Sequence, residues 1–267
     1  MGNRVINIIE NGKTGSKQIK KRLKQKLIDA GFGVPDEFAE DADLLVCIGG
    51  DGSLLTALSH YDFPDMPIVG INTGHLGFFQ ELDKSDIDEF IFKYRNDDFK
   101  IREYTPVEAV IVSPAGKKRV KGLNEVIIKG AYSHSAHLNI FIGESFVEKY
   151  IGDGIVVSTV AGSTAYNYAL RGSIIDPRLN TLQVTPIAPI NSTAYRSFTS
   201  SILLPPDLSL KVIPEYPKDR EILIAKDGIQ DKYENVTEVH LGLSSSRVRL
   251  LSFKDYDFWN TVKKKLL

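Results

Sequence analysis

A glycine-rich turn, Gly49-Gly50-Asp51-Gly52, directly follows an apolar run at residues 44–48 and constrains this chain more than any other feature. The run has the length and composition of a buried strand, and the residues from Ser53 onward suit a helix. Glycine has no Cβ, adopts positive φ and lets a ligand approach the backbone closely. The first N–H groups of the helix would point toward an anion. The sequence therefore predicts a strand–turn–helix unit that receives a polyphosphate.

Asp51 is the chemically informative residue of this turn. A carboxylate beside phosphate is repulsive unless it holds a metal ion or accepts a proton from an attacking hydroxyl. We therefore interpret Asp51 as a catalytic residue. The alternative is an ordinary strand-to-helix turn in which Asp51 is the helix N-cap.

The order of predicted elements changes near residue 100. Before it, strand-like runs alternate with helix-like segments, which is typical of an α/β domain with a parallel sheet. The strand-like runs are 5–9, 44–48 and 68–71, and the helix-like segments are 16–30, 53–58 and 85–94. The last of these helices has Ser85 and Asp88 at the spacing of a capping box.

Beyond residue 100, short β-type runs, the last at residues 248–251, follow one another with few helices. That rhythm indicates an antiparallel β-sandwich. The predicted fold class is α/β plus β, with an N-terminal domain at residues 1–100 and a sandwich domain at residues 101–267. Residues 258–267 have helical character, and a return of this tail to the first domain is left open.

Composition argues against several classes of protein. Lys and Arg total 33 and Asp and Glu total 34, so the net charge of −1 gives no field typical of a nucleic-acid or membrane-surface binder. Cys47 is the only cysteine and lies in an apolar run, where a buried, inert thiol is expected. The sequence has neither a signal-like leader nor an apolar stretch of transmembrane length. We expect a cytoplasmic protein without nucleic-acid or membrane partners.

Polar residues inside apolar runs mark further candidates for ligand binding. Asn124-Glu125 lies within a β-type run, and an adjacent amide and carboxylate suit ribose hydroxyls or a base amino group. Asp153 lies between two glycines. A solvent-facing strand position for Glu125 and a simple turn for Asp153 are the alternatives.

The glycine-rich segment at residues 70–77 suits either a ligand loop or a structural turn. The small-residue loop at residues 159–167 adds hydroxyls, a ring and an amide that suit a nucleotide.

Four motifs, in this order, make the chain similar to NAD kinases of the bacterial type. They are Gly49-Gly50-Asp51-Gly52, Asn124-Glu125, Gly152-Asp153-Gly154 and the run from Gly162 to Asn167. The first motif is shared with diacylglycerol kinases and phosphofructokinases, so the later motifs distinguish NAD kinases from those families. The resemblance covers nearly the whole chain.

The resemblance implies an N-terminal α/β domain and a C-terminal β-sandwich for NAD binding and oligomerisation, assembled as a homo-tetramer. It implies Mg²⁺-dependent transfer of a phosphoryl group from ATP or polyphosphate to the adenosine ribose 2′-hydroxyl of NAD, giving NADP. NAD and the donor would be the small-molecule partners. The metal is expected to arrive with the donor, because no carboxylate cluster in the sequence resembles a fixed metal site.

The resemblance also assigns roles residue by residue. Asp51 matches the proton acceptor, and Asn124 and Glu125 match the pair that holds NAD, with Asp153 nearby. The other matched ligand-contact positions are Gly50, Gly52, His75, Phe78, Ser163, Thr164, Ala165, Tyr166 and Asn167. Ala188 matches a contact at the subunit interface.

The chain departs from the family pattern at two positions. Val160 replaces a common proline, and Ile151 stands where a basic residue is often found, with Lys149 as its possible substitute.

Two other functions fit part of the pattern. A lipid or sugar kinase would share the glycine–aspartate turn, although no apolar membrane-facing patch is evident. A non-catalytic dinucleotide sensor would keep Asn124, Glu125 and Tyr166 for recognition. The presence of Asp51 argues against the sensor.

Overall fold

The computed structural model describes residues 4–74, 77–193, 196–216, 221–253 and 256–267. The chain divides into two compact units, which are described separately. Unit 1 comprises Met1–Glu103 and Arg247–Leu267, and unit 2 comprises Tyr104–Ser246.

The secondary structure elements are numbered along the chain. The first part of unit 1 contains β1 (Ile6–Glu10), α1 (Thr14–Asp29), β2 (Leu44–Gly49), α2 (Asp51–His60), β3 (Ile68–Asn72), β4 (Leu82–Asp83), α3 (Ile87–Arg95) and β5 (Lys100–Tyr104). Unit 2 contains β6 (Val107–Ser113), β7 (Gly116–Gly122), β8 (Glu125–Gly130), β9 (Ala136–Ile142), β10 (Ser145–Gly152), β11 (Gly154–Ser158), a 3₁₀ turn (Ala161–Thr164), α4 (Tyr166–Ala169), β12 (Leu182–Ile187), β13 (Ile202–Leu204), β14 (Leu210–Pro214), β15 (Ile222–Lys226), β16 (Ile229–Tyr233) and β17 (Glu238–Leu243). The chain then returns to unit 1 with β18 (Val248–Ser252) and α5 (Phe258–Lys265).

Unit 1 is built on a sheet with the strand order β1-β2-β3-β18-β5, and β4 also pairs with β3. The β1–β2, β2–β3, β3–β4 and β3–β18 pairs are parallel. Every residue of β2 and β3 is buried, as expected for parallel strands that are covered on both faces. The α/β domain predicted from the sequence is therefore confirmed. The carboxyl ends of β2 and β3 lead into the two loops that carry the first group of candidate residues.

The strand at residues 248–251 corrects the sequence interpretation. It forms, but Leu250 of β18 pairs in parallel with Ile68 of β3 instead of joining the antiparallel sandwich. The apolar run is compatible with either sheet, since burial alone does not specify the partner strand.

The helix predicted at residues 85–94 also starts differently. It begins at Ile87 after the N-cap Asp86, without a side-chain cap hydrogen bond, so the Ser85–Asp88 capping box does not form. The Asp86 carboxylate instead accepts a hydrogen bond from the backbone N–H of Asp83, at 3.0 Å.

Unit 2 is a β-sandwich, as predicted. One sheet has the order β10-β9-β14-β17-β6-β7 and the other has the order β13-β12-β11-β8-β15-β16, and the recorded strand pairs are antiparallel. Both sheets contribute to one core, for example Val107 and Leu138 from the first and Val126 and Val157 from the second. Within the part of the chain that the structure describes, no helix is long and apolar enough to cross a membrane.

Candidate functional site

The glycine turn after β2 has the predicted strand–turn–helix geometry. Gly49 has φ of +155°, and a Cβ there would overlap the Ser53 hydroxyl, so this position requires glycine. A Cβ on Gly50 or Gly52 would meet nothing within 4 Å. The turn therefore leaves open space beside Gly50 and Gly52 at the start of α2.

Asp51 does not cap α2, because the N-cap is Gly50. Its carboxylate instead accepts hydrogen bonds from the backbone N–H groups of Phe78 (2.7 Å, to Oδ2) and Phe79 (3.1 Å, to Oδ1). A Cβ on Gly77 would overlap the same carboxylate. The N-cap interpretation is thus wrong, and the loop after β3 fixes the orientation of Asp51.

The two bonds leave further acceptor capacity on Asp51, since a carboxylate has about four lone-pair sites. The side chain is half-buried. Phe78 is half-buried in the same loop, whereas His75 lies outside the described residues.

A cavity of about 720 Å³ borders the glycine turn in unit 1. Its walls include Gly50, Gly52 and Ser53 at the start of α2, together with Lys13 and Tyr61. The cavity thus joins the first turn of α2 to a cationic side chain and an aromatic ring, a combination that suits a phosphorylated nucleoside.

Asn124 and Glu125 form the second group, at the start of β8 in unit 2. Both side chains are buried, and Asn124 Oδ1 and Glu125 Oε2 have no hydrogen-bond partner among the described residues. Buried polar atoms without partners are costly. The solvent-facing alternative for Glu125 is therefore wrong, and the unpaired oxygens suit hydroxyl or amino groups of a ligand.

Asp227 holds this pair in place, and sequence reasoning missed it. Its carboxylate accepts hydrogen bonds from the backbone N–H groups of Leu123 (2.6 Å), Asn124 (2.8 Å) and Glu125 (3.2 Å). Asp227 and Gly228 both have positive φ in the turn between β15 and β16. An Asp-Gly pair between two β-type runs predicts this hairpin turn, but nothing in the pattern indicates its long-range partners.

Burial raises the pKa of Glu125 to about 8, and the nearby Asp227 carboxylate adds to the rise. Burial also raises the pKa of Asp227, against the opposing effect of its three backbone hydrogen bonds. A protonated Glu125 can donate a hydrogen bond as well as accept one.

The loop after β11 packs directly against the Asn124 backbone. Thr159 N donates to Asn124 O at 2.9 Å, and the Thr159 hydroxyl donates to Leu123 O at 2.6 Å. A Cβ on Gly162 would overlap the Asn124 carbonyl. The structure therefore brings the second glycine loop and the Asn124-Glu125 pair together, as the resemblance implies.

Two residues of this loop point inward, which corrects the sequence interpretation. The fully buried Ser163 hydroxyl donates to Val160 O (2.8 Å) and accepts from Ile175 N (3.1 Å). Asn167 is also fully buried, and its Oδ1 accepts from the Thr185 hydroxyl at 2.6 Å. Their side chains bond within the protein and shape the loop.

The neighbouring residues remain candidates for ligand contact. Thr164 and Ala165 are half-buried, and the ring of Tyr166 is exposed.

Asp153 and Ala188 lie elsewhere in unit 2. Glu125 pairs with Ser158 at one end of β11, whereas Asp153 precedes Gly154 at the other end, about 16 Å away along the strand. Asp153 is exposed and its N–H donates to Ile187 O, beside Ala188. Within one chain, Asp153 is therefore not near the pair, contrary to the expectation.

The two departures from the family pattern are accommodated differently. Val160 has φ of −62°, the value that proline would impose, so the turn keeps its shape. Ile151 is buried in the core. Lys149 forms an ion pair with Glu215, so its ammonium group is already engaged.

The described side chains do not fit a resident metal ion. No group of three or more His, Cys, Asp or Glu residues among them could hold one.

Comparison with known proteins gives a consistent result. Two family models match the chain: the ATP-NAD kinase N-terminal domain at residues 5–99 and the ATP-NAD kinase C-terminal domain at residues 123–251. An NAD kinase from Finegoldia magna is 37% identical over 99% of this chain and 98% of its own length. NAD kinase 1 from Oceanobacillus iheyensis is 35% identical over 96% of both chains.

Two solved structures share the fold. Yeast NADH kinase complexed with NADH matches with a TM-score of 0.86 at 20% identity, over 99% of this chain and 87% of that one. An NAD kinase from Archaeoglobus fulgidus in complex with ATP matches with a TM-score of 0.75 at 21% identity, over 98% of both chains.

Proposed function

The chain belongs to the NAD kinase family, which phosphorylates NAD to NADP, and we propose that Asp51 is the residue that accepts the proton in this reaction. The observation that carries the proposal is the fixed Asp51 carboxylate, which two loop amides orient while leaving it acceptor capacity. Family membership decides against the lipid or sugar kinase alternative.

A ribose hydroxyl is a poor nucleophile at neutral pH, and phosphoryl transfer depends mainly on in-line positioning and charge neutralisation. In our proposal the adenosine ribose 2′-oxygen attacks the terminal phosphorus of the donor, and Asp51 takes the hydroxyl proton. The bond from that phosphorus to its bridging oxygen breaks, and its electron pair leaves with the shortened donor.

We assign recognition of NAD to the Asn124-Glu125 pair and to Thr164, Ala165 and Tyr166. The unpaired oxygens of Asn124 and Glu125 would bind hydroxyl or amino groups of the nucleoside. The exposed Tyr166 ring would pack against the ligand.

We assign the phosphoryl donor, ATP or polyphosphate, to the cavity beside Gly50, Gly52 and Lys13. The first N–H groups of α2 and the Lys13 ammonium would face the phosphates. Mg²⁺ would enter bound to the donor and neutralise phosphate charge.

We further propose a cytoplasmic homo-tetramer that acts on small molecules. Asp153 lies about 16 Å from Glu125 along β11, so the two side chains do not meet around one nucleoside within a chain. We propose that Asp153 contacts NAD from a neighbouring subunit, with the end of unit 2 that carries Asp153 and Ala188 as the interface.

The decisive test is NADP formation by purified protein with NAD, ATP and Mg²⁺, read through an NADP-specific dehydrogenase. Asp51→Asn is expected to lower kcat at least about 1,000-fold while NAD binding stays near normal, because the acceptor is lost and the binding groups remain. Full activity of this variant would remove Asp51 from the chemistry. NAD binding by the native protein without product from ATP or polyphosphate would favour the sensor.

A further inference from the structure

The loop that holds Asp51 is itself held by the C-terminal segment of the chain, residues 256–265. The Phe78 ring lies 6.2 Å from the Phe258 ring, centroid to centroid, and the Lys265 ammonium lies 5.2 Å from the Phe78 ring centroid. The Tyr256 hydroxyl donates to the Phe78 carbonyl at 3.3 Å. Three contacts from the C-terminal segment therefore converge on the residue whose N–H binds Asp51.

Tyr256 is anchored to the sheet region of unit 1. The Arg102 guanidinium lies over the Tyr256 ring, 3.7 Å from its centroid, and pairs with Glu81 at 2.6 Å. The Glu81 carboxylate also accepts the single hydrogen of the Ser252 hydroxyl, whose oxygen lies 2.7 and 2.9 Å from the two carboxylate oxygens. Glu81 follows the loop that holds Asp51, and Ser252 ends β18. These bonds therefore form a second connection between that loop and the C-terminal part of the chain.

The C-terminal helix contributes little to the hydrophobic core. Val262 is its buried residue, and Phe258 is only half-buried. The cap of this helix is nevertheless defined, since the Asp257 carboxylate accepts from Asn260 N at 2.9 Å. Neither Phe258 nor Val262 belongs to the main hydrophobic core of unit 1.

We propose that residues 256–265 form a positioning element that sets the orientation of Asp51 through Phe78, with Phe258 as its central contact. This inference rests on the proposed role of Asp51. The Phe78 N–H lies 2.7 Å from Asp51 Oδ2, so a displacement of Phe78 moves the carboxylate directly. A displacement of about 1 Å at a reacting group can cost about 100-fold in rate.

The test compares kcat and KM of Phe258→Ala with those of Phe258→Leu in the full-length protein. We expect Phe258→Ala to lower kcat about tenfold and to change KM for NAD less than about twofold, because orientation is lost and binding groups are retained. Phe258→Leu, which keeps apolar contact with Phe78, should recover most of kcat. Equal kcat values for Phe258→Ala and the native protein would overturn the proposal.

Phe99→Ala is the matched control. Phe99 is a half-buried phenylalanine of the same unit that contacts the Tyr94 and Phe253 rings, with centroids 5.8 and 6.0 Å away. Its loss should lower the melting temperature at least as much as Phe258→Ala, without the kcat effect. An equal fall of kcat in both variants would mean that general destabilisation is the cause and would overturn the proposal.

The Asp51→Asn background separates this inference from the proposed function. If the C-terminal segment acts through Asp51, Phe258→Ala should lower the residual kcat of Asp51→Asn by less than about twofold. If Phe258→Ala lowered kcat tenfold both in the native protein and in Asp51→Asn, the inference would be overturned, and Asp51 would remain the proton acceptor. If the single variant Asp51→Asn had native-like activity, the proposed role of Asp51 as proton acceptor would be overturned instead.

Discussion

Gly77 gives a direct test of how Asp51 is held. A Cβ on residue 77 would overlap the Asp51 carboxylate, although the backbone there does not have positive φ. We therefore expect Gly77→Ala to fold but to lower kcat at least about tenfold, because the carboxylate must move. Steady-state kinetics with NAD and ATP measure this effect.

Gly15→Ala is the control for Gly77→Ala, since a Cβ there meets nothing within 4 Å and the position is helical. It should leave kcat unchanged and stabilise the protein slightly. A Gly77→Ala variant as active as Gly15→Ala would contradict the tight contact between Gly77 and Asp51.

Glu125 predicts a pH dependence of stability. Its pKa is raised from 4.5 to about 8, so the folded state binds more protons than the unfolded state between these values. The free energy of unfolding therefore falls as pH rises through this window, by an amount on the order of a few kcal/mol. Glu125→Gln should remove this loss.

Urea unfolding at pH 5 and pH 8.5, without NAD, measures the effect. The free energy of unfolding of Glu125→Gln, relative to that of the native protein, should be higher at pH 8.5 than at pH 5. A difference that is the same at both pH values would show that the Glu125 charge does not oppose folding.

The sequence indicates which individual residues are functional where they interrupt a local pattern. Asn124-Glu125 is conspicuous because polar side chains interrupt an apolar run. Asp227 is not, because its backbone partners lie about a hundred residues earlier and the Asp-Gly pair is fully explained by its turn. For the buried Ser163 and Asn167 the sequence predicts ligand contact, because composition alone does not distinguish an inward polar side chain from an outward one.

At the scale of elements, the turn between β1 and α1 gives the clearest prediction. Lys13 lines the cavity at the start of α2. If the donor phosphates bind there, Lys13→Ala should raise KM for ATP about fivefold, equivalent to about 1 kcal/mol for one partly solvated charge pair. KM for NAD should stay unchanged.

Lys17→Ala, which removes an exposed charge from the next turn of α1, is the control. It tests whether lost net charge alone weakens ATP binding. Equal KM values for ATP in the two variants would place the donor elsewhere.

Elements with a strong local signal were predicted well. The helix expected at residues 16–30 is α1 (Thr14–Asp29), and the strand expected at 44–48 is β2 (Leu44–Gly49). The partner of β18 was not predictable, because the strand crosses from the end of unit 2 to β3, far back in the sequence. Pairing over such a distance depends on tertiary burial, which a short apolar run does not encode.

At the scale of the whole molecule, the separation of Asp153 from Glu125 predicts that two subunits complete one NAD site. Both residues lie in unit 2, but Glu125 of β8 pairs with the last residue of β11, whereas Asp153 precedes the first. If each NAD site takes Glu125 from one subunit and Asp153 from its neighbour, Asp153→Ala and Glu125→Ala should each be nearly inactive and should complement each other. Random mixed assembly restores both groups in about one quarter of the sites, since each native residue is present with a probability of about one half.

The experiment refolds or co-expresses the two variants together and compares NADP formation with the sum of the separate variants. A mixture of Asn124→Ala with Glu125→Ala is the control, because these residues are adjacent in one chain and cannot restore each other in a shared site. Recovery in the first mixture alone would establish a site completed by a neighbouring subunit. Without recovery in a mixed oligomer, the proposal that Asp153 completes the NAD site of a neighbouring subunit would be overturned.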